Sequence, residues 1–270
     1  MSVAAGALPR AGTGPLALPR AAWRFLKMLL QLGRGLAIMY FRFPRLDAKG
    51  RQAEIQAWSA GLLRAMGLTL DVSGVSPRPG ATLLVANHVS WLDIAALHAA
   101  VPQARFVSKA DVKHWPIVGW LVAGAGTLFI EREKKRDALR VVHAMAEALG
   151  AGQTVAVFPE GTTGPGPELL PFHANLLQAA IATATPIQPA VLRFHDPAHR
   201  FSPAAEFVGE TTLLQSLWRI ATARGLGVSV ELLPPEATAH ADRRALAEHL
   251  RQVIGTRLAE AADRPSADGG

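Results

Sequence analysis

The sequence predicts an α/β fold, with a mixed, partly parallel sheet flanked by helices and an N-terminal helical motif at a membrane interface. Two observations lead to this prediction. Short segments rich in β-forming residues alternate along the chain with longer amphipathic segments, an order typical of α/β domains. The segment ahead of the first strand is unusually apolar and carries its positive charges along one side. At 270 residues the chain is long enough to bury a large core.

The charge balance indicates an anionic partner. The chain has 28 Lys and Arg residues against 21 Asp and Glu residues, a formal net charge of +7. Such a balance suits lipid headgroups, nucleic acid or a phosphorylated substrate. Basic runs interleaved with aromatic residues do not occur, so we expect no nucleic-acid partner. The sequence contains no cysteine, which excludes disulfides, thiolate metal sites and a cysteine nucleophile.

The chain begins with a tail followed by a helix. Residues 1–20 are rich in Ala, Gly and Pro and lack the apolar core of a signal peptide, which predicts a flexible tail. Trp23–Phe43 is very apolar, and on a helical projection its polar residues fall within about 80° of one another. These polar residues are Arg24, Lys27, Gln31, Arg34 and Arg42.

This polar stripe on an apolar helix favours a helix that lies in a membrane interface. The longest charge-free run, Gly35–Phe41, is well short of the roughly 18 apolar residues expected of a spanning helix. The alternative is an ordinary core helix with a solvated basic face. Gln52–Met66 predicts a second amphipathic helix that stops at Gly67, so we expect residues 21–67 to form the membrane-associating helical unit.

Strands and helices alternate through the rest of the chain. Apart from the central strand described next, the predicted strands are Leu68–Val72, Ala104–Ser108, Thr127–Ile130, Thr154–Phe158, Ile187–Leu192 and Val228–Leu232. The predicted helices are Ile117–Ala123, Glu133–Leu149, Asn175–Ala184 and Ala239–Leu258. Residues 195–227 have mixed character and carry no predicted element before the last strand, and residues 261–270 are expected to be a flexible tail.

The central stretch is Thr82–Ile94. Its first five residues predict a buried strand, and Ser90 to Asp93 resembles a capping box that opens a helix. His88 should therefore lie at a strand-to-helix turn, where α/β proteins bind their ligands. If the turn folds back, the Asp93 carboxylate can fix one ring nitrogen of His88 and leave the other as a general base. The alternative is that His88 and Asp93 only cap backbone groups.

Several common catalytic motifs do not occur. Two Gly-x-Gly segments precede predicted strands, whereas a dinucleotide fingerprint opens a helix. The sequence has no Gly-Lys-Ser/Thr of a phosphate-binding loop and no Gly-x-Ser-x-Gly of a hydrolase elbow. The histidines are scattered without the spacing of a metal site, so we expect no metal.

Four blocks in order resemble the glycerolipid acyltransferases related to lysophosphatidate acyltransferase. The first is Asn87-His88 with Asp93, and the second is Gly126-Thr-Leu-Phe-Ile-Glu-Arg132. The third is Phe158-Pro-Glu-Gly-Thr162 and the fourth is Pro186-Ile-Gln-Pro-Ala190. The likeness covers about residues 80–195, and the first and third blocks are together specific.

The resemblance implies transfer of a fatty acyl group from a thioester of coenzyme A or acyl carrier protein to a lysolipid hydroxyl, without a further cofactor. It implies that His88 is the general base and that Asp93 orients it. The substrate-binding residues that it implies are Arg132 for the anionic headgroup, Glu160 with Gly161, Thr162 and Asn87. Residues 68–260 would be the acyltransferase domain, and the enzyme would be membrane-associated, at the cytoplasmic face of the inner membrane.

The residues agree with direct transfer, since without a serine elbow or a cysteine the imidazole must activate the substrate's own hydroxyl. Two alternatives remain open. Glu160-Gly161 can be only the turn that ends a strand, and Arg132 can be only a solvated charge.

One position departs from the family pattern. The third block often continues with an arginine, whereas this chain has Thr163. Relatives with Glu-Gly-Thr-Thr include some that resemble lyso-ornithine lipid acyltransferases. This departure makes lyso-ornithine lipid the alternative acceptor. We still expect lysophosphatidate as the acceptor, because Arg132 and the basic residues around it remain available. A non-enzymatic membrane-binding protein is the alternative from another class.

Overall fold

The computed structural model describes residues 17–109, 118–130 and 135–263. In chain order its helices are α1 (Ala17–Ala37), α2 (Ala48–Met66), α3 (Asp93–Ala100), α4 (Val118–Gly124), α5 (Lys135–Gly150), α6 (Gln178–Ala182), α7 (Leu213–Thr222) and α8 (Arg243–Asp263). A π-helical turn and a 3-10 turn continue α1, and a 3-10 turn leads into α6.

The strands of the described residues form one sheet. They are β1 (Thr69–Gly74), β2 (Thr82–Ala86), β3 (Arg105–Lys109), β4 (Leu128–Ile130), β5 (Thr154–Val157), β6 (Ile187–His195) and β7 (Gly227–Leu232). Their order across the sheet is β1-β7-β6-β2-β5-β3-β4. The five strands from β6 to β4 are parallel, while β7 pairs antiparallel with β6 and parallel with β1. The predicted α/β class with a mixed, partly parallel sheet is confirmed.

Strand β2 lies in the middle of the sheet and is buried along its whole length. Its side chains alternate between two cores, because successive residues of a strand point to opposite faces. Leu84 and Ala86 pack with residues of α2, α3 and α7, whereas Leu83 and Val85 pack with residues of α5, α6 and α8. This burial on both faces explains why β2 reads as a continuous apolar run.

Helix α1 docks on the fold through part of its predicted polar stripe. Gln31 Nε2 donates to Trp58 O at 2.8 Å, and Trp58 Nε1 donates back to Gln31 O at 2.8 Å. Arg24 Nη1 donates to Ala223 O at 2.6 Å, at the end of α7. Burial lowers the pKa of Arg24. Two residues of the predicted polar stripe, Arg24 and Gln31, therefore face the protein.

The exposed face of α1 is apolar. Its large exposed side chains are those of Leu18, Trp23, Leu26, Leu29 and Leu30, and Tyr40 and Phe41 are exposed just beyond the helix. Lys27 lies at the border of this face, with Nζ 5.9 Å from the centre of the Trp23 ring. Within the described part of the chain, no helix is both long enough and apolar enough to cross a bilayer.

Several predicted boundaries shift. Helix α1 begins at Ala17, inside the predicted tail of residues 1–20, because Ala17 and Ala21 pack against the fold. Helix α8 continues to Asp263, past the predicted start of the C-terminal tail. The single helix predicted over Asn175–Ala184 is a 3-10 turn followed by the short α6. Helix α7, in the segment without predicted elements, has no counterpart in the sequence analysis.

A buried histidine of α3 predicts acid sensitivity. His98 is 5% exposed, its Nε2 lies 3.1 Å from Ala104 O, and burial lowers its pKa from 6.5 to about 4. In the unfolded chain, His98 therefore becomes protonated as the pH falls below 6.5, whereas in the folded chain it becomes protonated only near pH 4. The free energy of unfolding is therefore unaffected by His98 well above pH 6.5. As the pH falls, it decreases by about 2 kcal/mol between about pH 7 and pH 5.

Urea unfolding at the two pH values measures this loss, and the His98→Gln variant should show a pH dependence smaller by that amount. An equal pH dependence in both proteins would contradict a neutral buried His98.

Candidate active site

The site forms where β2 and β5 end side by side. The two strands are parallel neighbours, with Val85 opposite Val157, so the segments that follow them meet at one edge of the sheet. The segment after β2 contains Asn87 and His88, and the segment after β5 contains the Phe158–Thr162 block. Parallel pairing therefore brings together two motifs that are about 70 residues apart.

His88 and Asp93 form the predicted pair. His88 Nδ1 lies 2.7 Å from Asp93 Oδ2, with the His88 side chain 19% exposed and the Asp93 side chain fully buried. An ionised carboxylate can accept hydrogen bonds but cannot donate them. The ring therefore donates from Nδ1, and Nε2 keeps its lone pair. The imidazole is thus held in the tautomer that can take a proton from an incoming hydroxyl.

The same carboxylate oxygen also closes the turn. Asp93 Oδ2 accepts hydrogen bonds from Val89 N at 2.7 Å and from Ser90 N at 2.9 Å. Asp93 therefore makes the contacts of both interpretations, since it holds the His88 ring and also satisfies backbone donors, while the role of His88 as general base stays a prediction. Only half of the predicted capping box forms. Asp93 accepts from Ser90 N, but the Ser90 hydroxyl has no hydrogen-bond partner among the described residues, and α3 begins at Asp93.

Contacts from two other segments fix the turn that carries His88. His88 N donates to Glu160 Oε1 at 2.7 Å, and His88 O accepts from Gly164 N at 2.7 Å. Phe207 N donates to Val89 O at 3.1 Å. The His88 ring stacks on Phe158 with 4.0 Å between ring centres and 10° between planes. The imidazole is therefore held in a fixed position, which is what catalysis by a positioned group would require.

Glu160 faces inward, onto the backbone. It is 5% exposed, and its Oε2 accepts from Leu170 N at 2.9 Å while Oε1 holds His88 N. Burial raises the pKa of Glu160 against the opposing effect of these two hydrogen bonds. Both oxygens of Glu160 are engaged within the fold, which differs from its predicted contact with the acceptor. The geometry assigns Glu160 the role of positioning His88.

Glu160→Gln tests this role, since the amide keeps one acceptor but directs an NH₂ group at the second backbone donor. We expect turnover to fall by about tenfold through displacement of the His88 turn, with the acceptor KM unchanged. Steady-state kinetics with varied acceptor measures both constants. Glu168→Gln, on an exposed residue of the same loop, is the matched control. A raised KM with unchanged turnover would show that Glu160 binds the acceptor instead.

Asn87 also faces the fold. Its Nδ2 donates to Leu192 O at 2.9 Å, and its Oδ1 accepts from Leu192 N at 2.8 Å. This side chain continues the pairing of β2 with β6 by one step beyond the backbone ladder, which ends at Ala86 and Ala190. Asn87 was predicted to bind substrate, but its buried amide is fully engaged by β6.

Gly161 and Thr162 are the residues of the third block that face solvent. Gly161 has φ of +72°, and a Cβ atom there would lie 2.9 Å from the His173 ring. A glycine is needed at this turn both for its backbone conformation and for the approach of that ring. His173, which is exposed and whose N donates to Pro159 O at 2.8 Å, is a site residue that sequence reasoning missed. It lies in a loop with no motif to mark it.

Arg132 and Thr163 are the two positions expected to decide which acceptor is used, and the structure describes only Thr163. Arg132 falls outside the described residues, so its predicted headgroup contact stays a prediction. Thr163 donates its hydroxyl to Phe207 O, and Phe207 N in turn holds Val89. Thr163 thus ties the segment before α7 to the turn that carries His88.

Comparison with known proteins identifies the family. The family model described as Acyltransferase matches residues 70–193. A 1-acyl-sn-glycerol-3-phosphate acyltransferase of Neisseria gonorrhoeae is 35% identical over 80% of this chain and 84% of its own. A lyso-ornithine lipid O-acyltransferase of Pseudomonas aeruginosa is 37% identical over 84% of this chain and 88% of its own. The crystal structure of a 1-acyl-sn-glycerophosphate acyltransferase from Thermotoga maritima matches with a TM-score of 0.68 at 20% identity, over 93% of this chain and 98% of the other.

The family match and these relatives define the class as acyltransferases of lipid metabolism, and the mixed α/β fold agrees with it. The chain belongs to the acyltransferase family that these relatives represent. The predicted family and enzyme class are confirmed, and the alternative of a non-enzymatic membrane-binding protein is set aside.

Proposed function

We propose that the protein transfers a fatty acyl group from an acyl thioester to the hydroxyl of a lysophospholipid, with His88 and Asp93 as the base. The observation that carries the proposal is the 2.7 Å contact between His88 Nδ1 and the buried Asp93 carboxylate, on a turn held by the Glu160 block. The His88 side chain is 19% exposed, which leaves part of the imidazole open to an acceptor hydroxyl.

The reaction follows from that geometry. Nε2 of His88 takes the proton of the acceptor hydroxyl as its oxygen attacks the thioester carbonyl, and Asp93 stabilises the imidazolium that forms. The tetrahedral intermediate then breaks its carbon–sulfur bond, and the leaving thiolate takes the proton from His88. An ester and a free thiol result, and no covalent enzyme intermediate is needed. The donor is acyl-CoA or acyl-acyl carrier protein, and the proposal includes no further cofactor.

Lysophosphatidate is the first choice of acceptor, giving phosphatidate, and lyso-ornithine lipid is the second. The names of the two Neisseria and Pseudomonas relatives support one acceptor each, at similar identity. Arg132 favours the phosphate, because a charge-assisted hydrogen bond to it is worth roughly 1.5–3 kcal/mol. Thr163 favours lyso-ornithine lipid. An arginine at this position could hold a phosphate, whereas the Thr163 hydroxyl is hydrogen-bonded to Phe207 O.

A panel of lysolipids with one labelled acyl-CoA, assayed with purified protein, decides the acceptor. If lysophosphatidate is correct, Arg132→Ala should lower its use by about one to two powers of ten and barely change use of the acyl donor. If lyso-ornithine lipid is correct, the parent should acylate it, and Thr163→Arg should leave lysophosphatidate activity low. If the parent acylates neither lysolipid, both assignments are wrong. If Arg132→Ala loses activity equally on both acceptors, Arg132 does not recognise the headgroup.

We also propose that α1 holds the enzyme on the cytoplasmic face of the inner membrane. The exposed apolar face of α1 and the neighbouring Lys27 support an interfacial helix. Removal of the N-terminal residues is a poor test, because it would also remove the contacts of Arg24 and Gln31 with the fold. The triple variant Leu26→Ser, Leu29→Ser, Leu30→Ser changes only exposed side chains. It should no longer float with anionic vesicles that carry the parent; equal flotation would contradict the proposal.

A further inference from the structure

Helix α7 presents apolar side chains to solvent at its first turns. Leu213, Leu214 and Trp218 are 45%, 72% and 38% exposed. Leu214 and Trp218 are four residues apart, so they lie on the same face of the helix. A capping box fixes the start of α7, with Thr212 N donating to Gln215 Oε1 at 2.9 Å and Gln215 N donating to Thr212 Oγ1 at 3.3 Å. The exposed leucines are thus held on ordered helix and not on a loose loop.

The other end of α7 is attached to α1. Arg24 Nη1 donates to Ala223 O at 2.6 Å and Arg20 Nη2 donates to Thr222 O at 2.8 Å. Two guanidinium groups therefore satisfy the last carbonyls of α7, where the helix dipole also favours positive charge. These contacts set the position of α7 relative to α1 and its exposed Trp23, Leu26 and Leu30.

The middle of α7 is attached to the catalytic turn. Trp91 Nε1 donates to Ser216 Oγ at 3.1 Å, and Ser216 is fully buried. Trp91 is three residues from His88, and the segment before α7 reaches the same turn through Phe207 N and Val89 O. Helix α7 therefore connects the inward-facing arginines of α1 with the residues that hold the His88 turn.

We propose that Leu213, Leu214 and Trp218 are a second lipid-contacting surface, which continues the face of α1 and rests on the acyl-chain region of the bilayer. This inference rests on the proposed membrane association. It commits to lipid because the acceptor of the proposed reaction resides in a bilayer and because exposed cations, Arg34 on α1 and Arg224 after α7, border the two helices. A lysolipid would then leave the bilayer beside the turn that carries His88.

The absence of cysteine from the sequence permits a direct test. Single cysteines at Leu214→Cys on α7, Leu30→Cys on α1 and Glu248→Cys on the exposed face of α8 can each carry an environment-sensitive fluorophore. Vesicles of phosphatidylglycerol and phosphatidylcholine with brominated acyl chains quench fluorophores that reach the chains. We expect strong quenching at positions 214 and 30 and none at position 248.

The outcomes separate this inference from the proposal on which it rests. Quenching at position 30 without quenching at position 214 would overturn the α7 surface and leave the α1 proposal intact. Lack of quenching at both positions would overturn membrane association itself.

A kinetic test adds a matched control. Leu214→Ser removes a side chain that is 72% exposed, and Leu139→Ser removes one on α5 that is 73% exposed. Leu214→Ser should raise the vesicle concentration needed for half-maximal turnover by about tenfold, as expected for partial loss of one buried leucine. Turnover on detergent-dispersed lysolipid should not change. The lipid assignment would be overturned if the two variants needed the same vesicle concentration for half-maximal turnover. It would also be overturned if Leu214→Ser alone lost self-association, since the surface would then bind a second copy of the chain.

Discussion

Replacement of His88 by alanine is expected to lower turnover by at least about 10²–10⁴-fold while the protein remains folded. Proton transfer by a positioned histidine contributes about that much to catalysis, and no other described side chain takes its place next to Asp93. Loss of the ring removes one of three hydrogen bonds to the Asp93 carboxylate and leaves those from Val89 N and Ser90 N. The turn should therefore survive the substitution.

The measurement is turnover at saturating donor and acceptor, with urea unfolding to confirm that the variant is folded. His143→Ala is the matched control, because His143 also contacts a carboxylate but is exposed on α5. It should keep parental turnover. A folded His88→Ala protein with near-parental turnover would end the proposed mechanism.

The central part of the site could be predicted because its signals are local. A buried run of β-formers, a polar pair and an aspartate five residues after the histidine are sufficient to place His88 and Asp93 on one turn. The meeting of this turn with the Phe158 block also follows from simple topology, because parallel neighbours end at the same edge. The observed contact at 2.7 Å agrees with that reasoning.

The direction in which Glu160 and Asn87 point could not be predicted, because it depends on partners distant in sequence. Glu160 is held by Leu170 N, ten residues on, and Asn87 by the backbone of Leu192, more than one hundred residues on. A motif shows that a residue is required but does not show whether it contacts substrate or holds the backbone. Glu160 and Asn87 both hold the backbone.

The N-terminal helix shows a second limit of pattern reasoning. The sequence revealed an amphipathic helix but did not indicate which face the fold would cover. Arg24 is drawn inward because α7 ends with unsatisfied carbonyl groups nearby, and α7 itself lay in a segment whose composition predicted no element. Without α7, the sequence left open an interfacial helix and, as the alternative, a core helix with a solvated basic face. The structure exposes large apolar side chains of α1, which supports the interfacial interpretation.

Asp93→Asn should lower turnover by about one to two powers of ten with little effect on the fold. The asparagine oxygen can replace Asp93 Oδ2 and accept from His88 Nδ1, Val89 N and Ser90 N. Rotation of the amide is disfavoured, because its NH₂ group would then face two backbone N–H donors. The His88 tautomer is therefore kept and only the charge is lost. Hydrogen bonds to a charged partner exceed neutral ones by about 1–2 kcal/mol, which sets the expected size for the imidazolium formed during transfer.

Comparison with Asp93→Ala separates charge from architecture. Alanine leaves Val89 N and Ser90 N, both in buried residues, without their acceptor, at a cost of about 1–3 kcal/mol each. Asp93→Ala should therefore lose both turnover and unfolding free energy. Asp93→Asn should lose turnover with a smaller loss of unfolding free energy, because only its NH₂ group, in place of the buried and unpartnered Oδ1, is left without a partner among the described residues. Turnover and urea unfolding of the two variants are the measurements. Parental turnover in Asp93→Asn would show that the carboxylate charge plays no part in transfer, and its role would then be confined to holding the turn.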